Sequence, residues 1–107
     1  MVTINDVDRY RSAVDESVVE YRNVADMEER FEGEFTETMV SLQEAINIRL
    51  GYISAAFIEA EKWILYFERT CNAEGAERSL NNLYRTCNTQ VYEIEDLKNQ
   101  FWGCCYE

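Results

Sequence analysis

Three stretches of this chain place apolar residues at spacings of three and four, the period of an α-helix that turns one face to a core. The first covers residues 4–31, with the stripe Val7, Tyr10, Val14, Val18, Tyr21, Val24 and Phe31, blurred for one turn near Met27 and Glu28. Thr3 with Asp6, or Asn5 with Asp8, offers it an N-terminal cap. A break is expected at EGEFT, where Gly33 suits a left-handed turn and Thr36 or Thr38 can cap the next helix.

The second stretch, residues 37–71, carries the strongest period: Met39, Leu42, Ile46, Leu50, Ile53, Phe57, Ala60, Ile64, Phe67 and Cys71. Ile48, Tyr52, Ala55, Trp63 and Tyr66 widen its apolar band, so this helix asks for neighbours on more than one side. Gly51, Ala55, Ala56 and Ala60 leave little side chain between them, and Gly51 costs about 1 kcal/mol of helix propensity against Ala. A kink or a close crossing is the expected reason for it. The segment NAEG closes this helix, with Gly75 as the stop. The third stretch, residues 77–102, repeats the logic with Leu80, Leu83, Cys87, Val91, Ile94, Leu97 and Phe101, and Gly103 as its cap. Short loops between long helices make antiparallel neighbours. The pattern therefore predicts an all-α fold, an elongated antiparallel three-helix bundle with helices at about 4–31, 37–71 and 77–102, one domain over residues 1–107. A bundle this thin can leave part of helix two uncovered, which opens it to homo-oligomerisation.

Composition agrees with long helices, since the chain has no Pro and only four Gly. Its net charge is −11, from 21 acids against 10 bases, and the N-terminal third is the most acidic part. Phosphates would be repelled, so direct nucleic-acid binding is not expected, whereas a basic protein is a natural partner. The opening MVTINDVDRYR has no apolar leader segment, and residues 45–67, the most apolar window, still carry Arg49, Glu59, Glu61 and Lys62. The expectation is a soluble protein of the cytoplasm, or of a host's cytoplasm if the gene is viral, with no membrane partner.

Arg-Thr-Cys-Asn occurs twice, at residues 69–72 and 85–88, without similarity around the two copies. Both Cys71 and Cys87 fall on apolar stripes, so the match reads as two helices with like packing needs, each Cys facing inward. In a hairpin turning near residues 72–75 the two thiols are too far apart to bridge. Cys104 and Cys105 are expected against the middle of helix one, where oxidation could join two chains; a redox-responsive protein is the weakest of the readings.

Chemistry is scarce. The chain has no His, hence no common general base and no imidazole to activate a cysteine. Its glycines are isolated, so no phosphate-cradling loop forms, and no metal-ligand spacing occurs. A non-enzymatic protein without cofactor or metal is expected. Recognition remains, on either of two surfaces. From Asp26 to Glu37 there are six acids and one base, and Glu28, Glu29 and Glu32 crowd a helix C-terminus, where the macrodipole disfavours negative charge. Asp26, Glu28, Glu29, Glu32, Glu34 and Glu37 are thus candidates for binding a basic, nucleic-acid-handling protein, with Asp8, Asp15, Glu16 and Glu20 continuing the acidic row and Arg9, Arg11 and Arg22 interrupting it. Such a row can imitate nucleic-acid phosphates, and in composition and size the chain resembles small acidic helical inhibitors that viruses turn on host defence enzymes. The alternative is an adaptor or assembly subunit that binds a helix or its own copy through the aromatic band Tyr52, Trp63 and Tyr66, although Trp63 by itself is read first as a core residue.

Overall fold

The computed structural model describes residues 2–26 and 36–105. Three helices follow one another: α1 over Ile4–Ala25, α2 over Glu37–Arg69 and α3 over Ala73–Cys105. They form the antiparallel bundle that the periodicity demands, 56 × 18 × 15 Å. α2 and α3, each 33 residues long, pack against each other along their length, and the 22 residues of α1 lie across both.

The core is built from the three stripes. Val7, Val14 and Val18 of α1 meet Ile46, Ile53, Phe57 and Ile64 of α2 and Leu83, Cys87, Ile94 and Phe101 of α3, all buried. Tyr10 joins from the rim, its ring 4.5 Å from that of Tyr84 and 5.7 Å from that of Phe57. Polar ties on the flanks set the register. Arg11 reaches Glu61 at 2.8 Å while stacking over Phe57, and Arg49 reaches Glu93 at 2.9 Å. Gln43 donates to the Val24 carbonyl at 3.0 Å, satisfying one of the orphan acceptors at the end of α1.

The caps explain where the helices stop. At the start of α1 the Thr3 amide donates to the Asp6 carboxylate at 2.8 Å, and Thr36 accepts from the Met39 amide at 3.2 Å at the start of α2. The α2–α3 turn differs from expectation. Gly75 is not the stop; α2 ends at Arg69 with Cys71 in the left-handed region at φ 56°. The Cys71 amide donates to Glu68 at 3.2 Å and the Asn72 amide to Phe67 at 2.8 Å, a Schellman closure with Cys where Gly is usual. The Asn72 side chain then accepts from the Gly75 amide at 2.9 Å, so α3 begins at once, at Ala73 rather than residue 77. Gly75 is needed for another reason: a Cβ there would stand 2.7 Å from the Phe67 ring.

Two further glycine assignments are corrected. Gly103 does not cap α3, which runs through it to Cys105. Gly51 sits at no close crossing within the chain, since a Cβ there would meet nothing within 4 Å, and Ala55 is exposed beside it. At the other end, α1 closes at Ala25 with Asp26 as its C-cap, and the expected continuation through residues 27–31 and the break at Gly33 lie outside the described residues.

Candidate functional site

The outward face of α2 is the most unusual surface of the molecule. The helix buries Ile46, Ile53, Phe57 and Ile64, then presents a second apolar set roughly opposite: Ile48, Tyr52, Ile58, Leu65 and Tyr66. Of nine exposed large apolar residues among those described, seven belong to α2, which makes this helix the most apolar exposed surface of the described structure. A helix in a three-helix bundle has only two neighbours, and α2 has spent both on its inner face. The band anticipated on helix two is therefore uncovered.

Trp63 is not a core residue, being 39% exposed. Its indole N–H donates to Glu59 at 2.7 Å, its ring lies 5.9 Å from both Tyr66 and Phe67, and Lys62 stands 5.2 Å above it. Tyr52 and Tyr66 are 53% and 45% exposed. All three aromatics proposed from the sequence are accessible, but they do not form one cluster. Trp63 and Tyr66 group near the C-terminal end of α2, whereas Tyr52 lies about three turns away, near Ile48 and Gly51. Ile58 and Leu65, which the sequence reading passed over, belong to the same surface, and their spacing at positions 58 and 65 would have found them had a second stripe been sought.

The acidic candidates fare differently. Of the six from Asp26 to Glu37, only Asp26 and Glu37 are described, at the C-cap of α1 and in the first turn of α2; Glu28, Glu29, Glu32 and Glu34 lie outside the described residues. Along α1 the row is broken by bases from α1 and from α3. Asp15 pairs with Arg22 at 3.1 Å, and Glu20 with Lys98 at 3.3 Å. Asp8, Glu16 and Asp26 are exposed and have no ion-pair partner among the described residues.

A polar knot between α1 and α3 was not legible in the sequence. Tyr21 donates its hydroxyl to Glu95, and Lys98 bridges Glu95 at 3.1 Å and Glu20 at 3.3 Å while lying over the Tyr21 ring. Burial, with help from the Glu95 hydrogen bond, pushes the Tyr21 phenol up to about 12. The Tyr21 hydrogen bond and then Lys98 hold Glu95 below the usual carboxylate range. Burial opposes the charge on Lys98, yet its hydrogen bonds to Glu95 and Glu20 outweigh this and leave its pKa raised. Every member is satisfied by a neighbour, which marks the knot as a fastening rather than an open site.

Cys71 and Cys87 separate. Cys87 is buried as expected, its thiol pushed up by burial and only partly offset by Tyr10. Cys71 is exposed in the turn, not inward, because the left-handed residue rotates it off the stripe. Cys104 does not face the middle of α1. Glu95 already stands beside Tyr21, so Cys104, nine residues further on, lies past Ala25; the side chain of Cys105 is outside the description.

Among the described residues no three His, Cys, Asp or Glu side chains converge as a metal-binding set, and no helix is long and apolar enough to cross a membrane. Compared with protein families, curated proteins and solved structures, the chain matches none.

Proposed function

We propose that this protein is a non-enzymatic helical interaction protein, an adaptor or assembly subunit that binds a protein partner through the outward face of α2. The observation that carries the reading is the second apolar stripe of α2, which no other element of the described structure covers. Burying residues such as Ile58, 66% exposed, gains about 25 cal/mol per Å2, and the flanking tyrosines provide rigid contact area of the kind that anchors interfaces. The test is capture from a lysate with wild-type and Ile58→Glu bait, washed at low and then high salt with nuclease present. Binding that survives salt and is lost with Ile58→Glu supports the reading. Recovery of the same proteins by both baits sinks it.

A second reading rests on the net charge of −11 and on the uncompensated Asp8, Glu16 and Asp26. Here the acidic surface inhibits or regulates a basic, nucleic-acid-handling protein, with charge steering the encounter. It predicts a basic partner that elutes as salt rises and that ignores Ile58→Glu.

A further inference from the structure

Charge along the outward face of α2 is ordered, and the order is self-complementary. Glu37 and Glu44 lie in its N-terminal half and Lys62 and Arg69 in its C-terminal half, all four exposed and without an ion-pair partner among the described residues. Between them come Ile48, Gly51, Ala55 and Ile58, also exposed. From Glu44 to Lys62 these positions advance by alternating steps of four and three, with Glu37 and Arg69 each seven residues beyond, the seam along which one helix meets another. The helix runs from residue 37 to residue 69, so its midpoint is Ile53.

We propose that this face is an antiparallel two-fold interface with a second copy of the chain, centred at the level of Ile53. The inference deepens the reading of α2 as the binding surface by naming its occupant. In a two-fold antiparallel pair, residues equidistant from the centre face each other across the copies. Gly51 and Ala55 lie two residues to either side, Ile48 and Ile58 five, Glu44 and Lys62 nine, and Glu37 and Arg69 sixteen. Small therefore meets small at the crossing, isoleucine meets isoleucine beside it, and acid meets base twice toward each end. Val40 and Tyr66, 42% and 45% exposed, lie thirteen residues to either side, on opposite flanks of the seam, and widen its apolar area. Glu59, the remaining outward acid of the central turns, lies on the flank of the seam, where it accepts from the Trp63 indole at 2.7 Å. Sliding one copy along the other by about one turn places Glu44 against Tyr66 and Ile48 against Lys62 in one direction, or Glu44 against Ile58 and Lys62 against Val40 in the other, and loses the charge match.

The arrangement also gives Gly51 a purpose. Space for a Cβ is open there within the single chain, and a second helix axis can approach closely only where side chains are this small. The seam drifts around a straight helix by about 20° per seven residues, which is accommodated by the shallow left-handed crossing that such seams adopt.

The register makes a sharp test by sedimentation equilibrium of the full chain, under reductant so that Cys71 and Cys104 cannot cross-link. Wild type is expected to dimerise, and Ile58→Glu to be monomeric with an unchanged helical spectrum. Glu44→Lys alone and Lys62→Glu alone each place two like-charge pairs across the interface and weaken the dimer by roughly tenfold. Mixed one to one, those two variants restore both pairs as attractive ones and form the heterodimer at wild-type strength. A wild-type chain monomeric up to on the order of 100 μM, a dimer indifferent to either charge reversal, or a mixture that fails to recover each overturns the proposal. If wild type is monomeric while capture from lysate still depends on Ile58, the partner is another protein and only the homodimer is lost.

Discussion

Helix α2 has two apolar faces of nearly the same composition and opposite fates. Ile46, Ile53, Phe57 and Ile64 are at most 3% exposed, whereas Ile48, Tyr52, Ile58 and Leu65 are 49–66% exposed. Residue type does not separate the two sets, because each has isoleucine, an aromatic and helical spacing. What separates them is topology. α1 and α3 both dock on one side of α2, and a bundle of three helices contains no fourth to cover the other side. The inner face explains the fold, and the outer face, which folding leaves unused, is the surface on which the proposed binding rests.

That contrast can be broken most forcefully in the core. Phe57→Ala removes a ring that is 2% exposed and that packs on Tyr10 and Arg11, and it is expected to cost about 3–5 kcal/mol in urea unfolding. Ile58→Ala, one residue along, should stay within about 0.5 kcal/mol when measured on the monomer. Equal losses at the two positions would mean that the outer face is covered within a single chain. Alkaline pH sharpens the same division by titrating the inner side. Tyr10 and Tyr21 are both raised to about 12 from 10.0, chiefly by burial, so the folded chain holds these protons more tightly than the unfolded chain does. The stabilisation is complete below pH 10 and drains as pH rises toward 12, by on the order of 1 kcal/mol for each phenol at pH 11. Unfolding in urea at pH 9 and pH 11 should therefore differ clearly, and Tyr21→Phe should remove its share of the slope. A pH-independent midpoint over that range would show that neither phenol is held as the structure has it.

The helical periods along the chain were enough to read the three helices, their antiparallel order and nearly every core position, because a stripe such as Val7, Val14 and Val18 has one interpretation. Three kinds of feature escaped. Turn chemistry was misassigned because the left-handed position fell to Cys71, a residue that ordinarily avoids it, while Gly75 four residues later looked like the natural stop. The fastening of Tyr21 to Glu95 and Lys98 joins residues more than seventy positions apart, and nothing local in the sequence pairs them. The outer stripe of α2 was seen only in part: its aromatics were noticed, but Ile58 and Leu65 were not, and the pairing of Glu44 with Lys62 has meaning only once both are known to be on the exposed face.

The smallest expected effect sets two glycines against each other, one on each side of the comparison. Both lie within helices, so Ala at either position would recover about 1 kcal/mol of helix propensity if space were the only question. Gly51→Ala, where the added methyl meets nothing within 4 Å, should stabilise the isolated chain by about that amount. Gly75→Ala should forfeit the gain and fall below wild type, because its methyl would stand 2.7 Å from a Phe67 ring already packed against Trp63 and Tyr66. Thermal unfolding of the two variants under monomeric conditions decides the matter: stabilisation at residue 75 would mean that the ring moves aside freely, and destabilisation at residue 51 would mean that the outer face is occupied. Under dimeric conditions the sign at Gly51 is informative again. A methyl that helps the single helix but weakens the association would locate the crossing point of the two copies at that residue, since a benefit to the helix can turn into a cost only where another chain comes close.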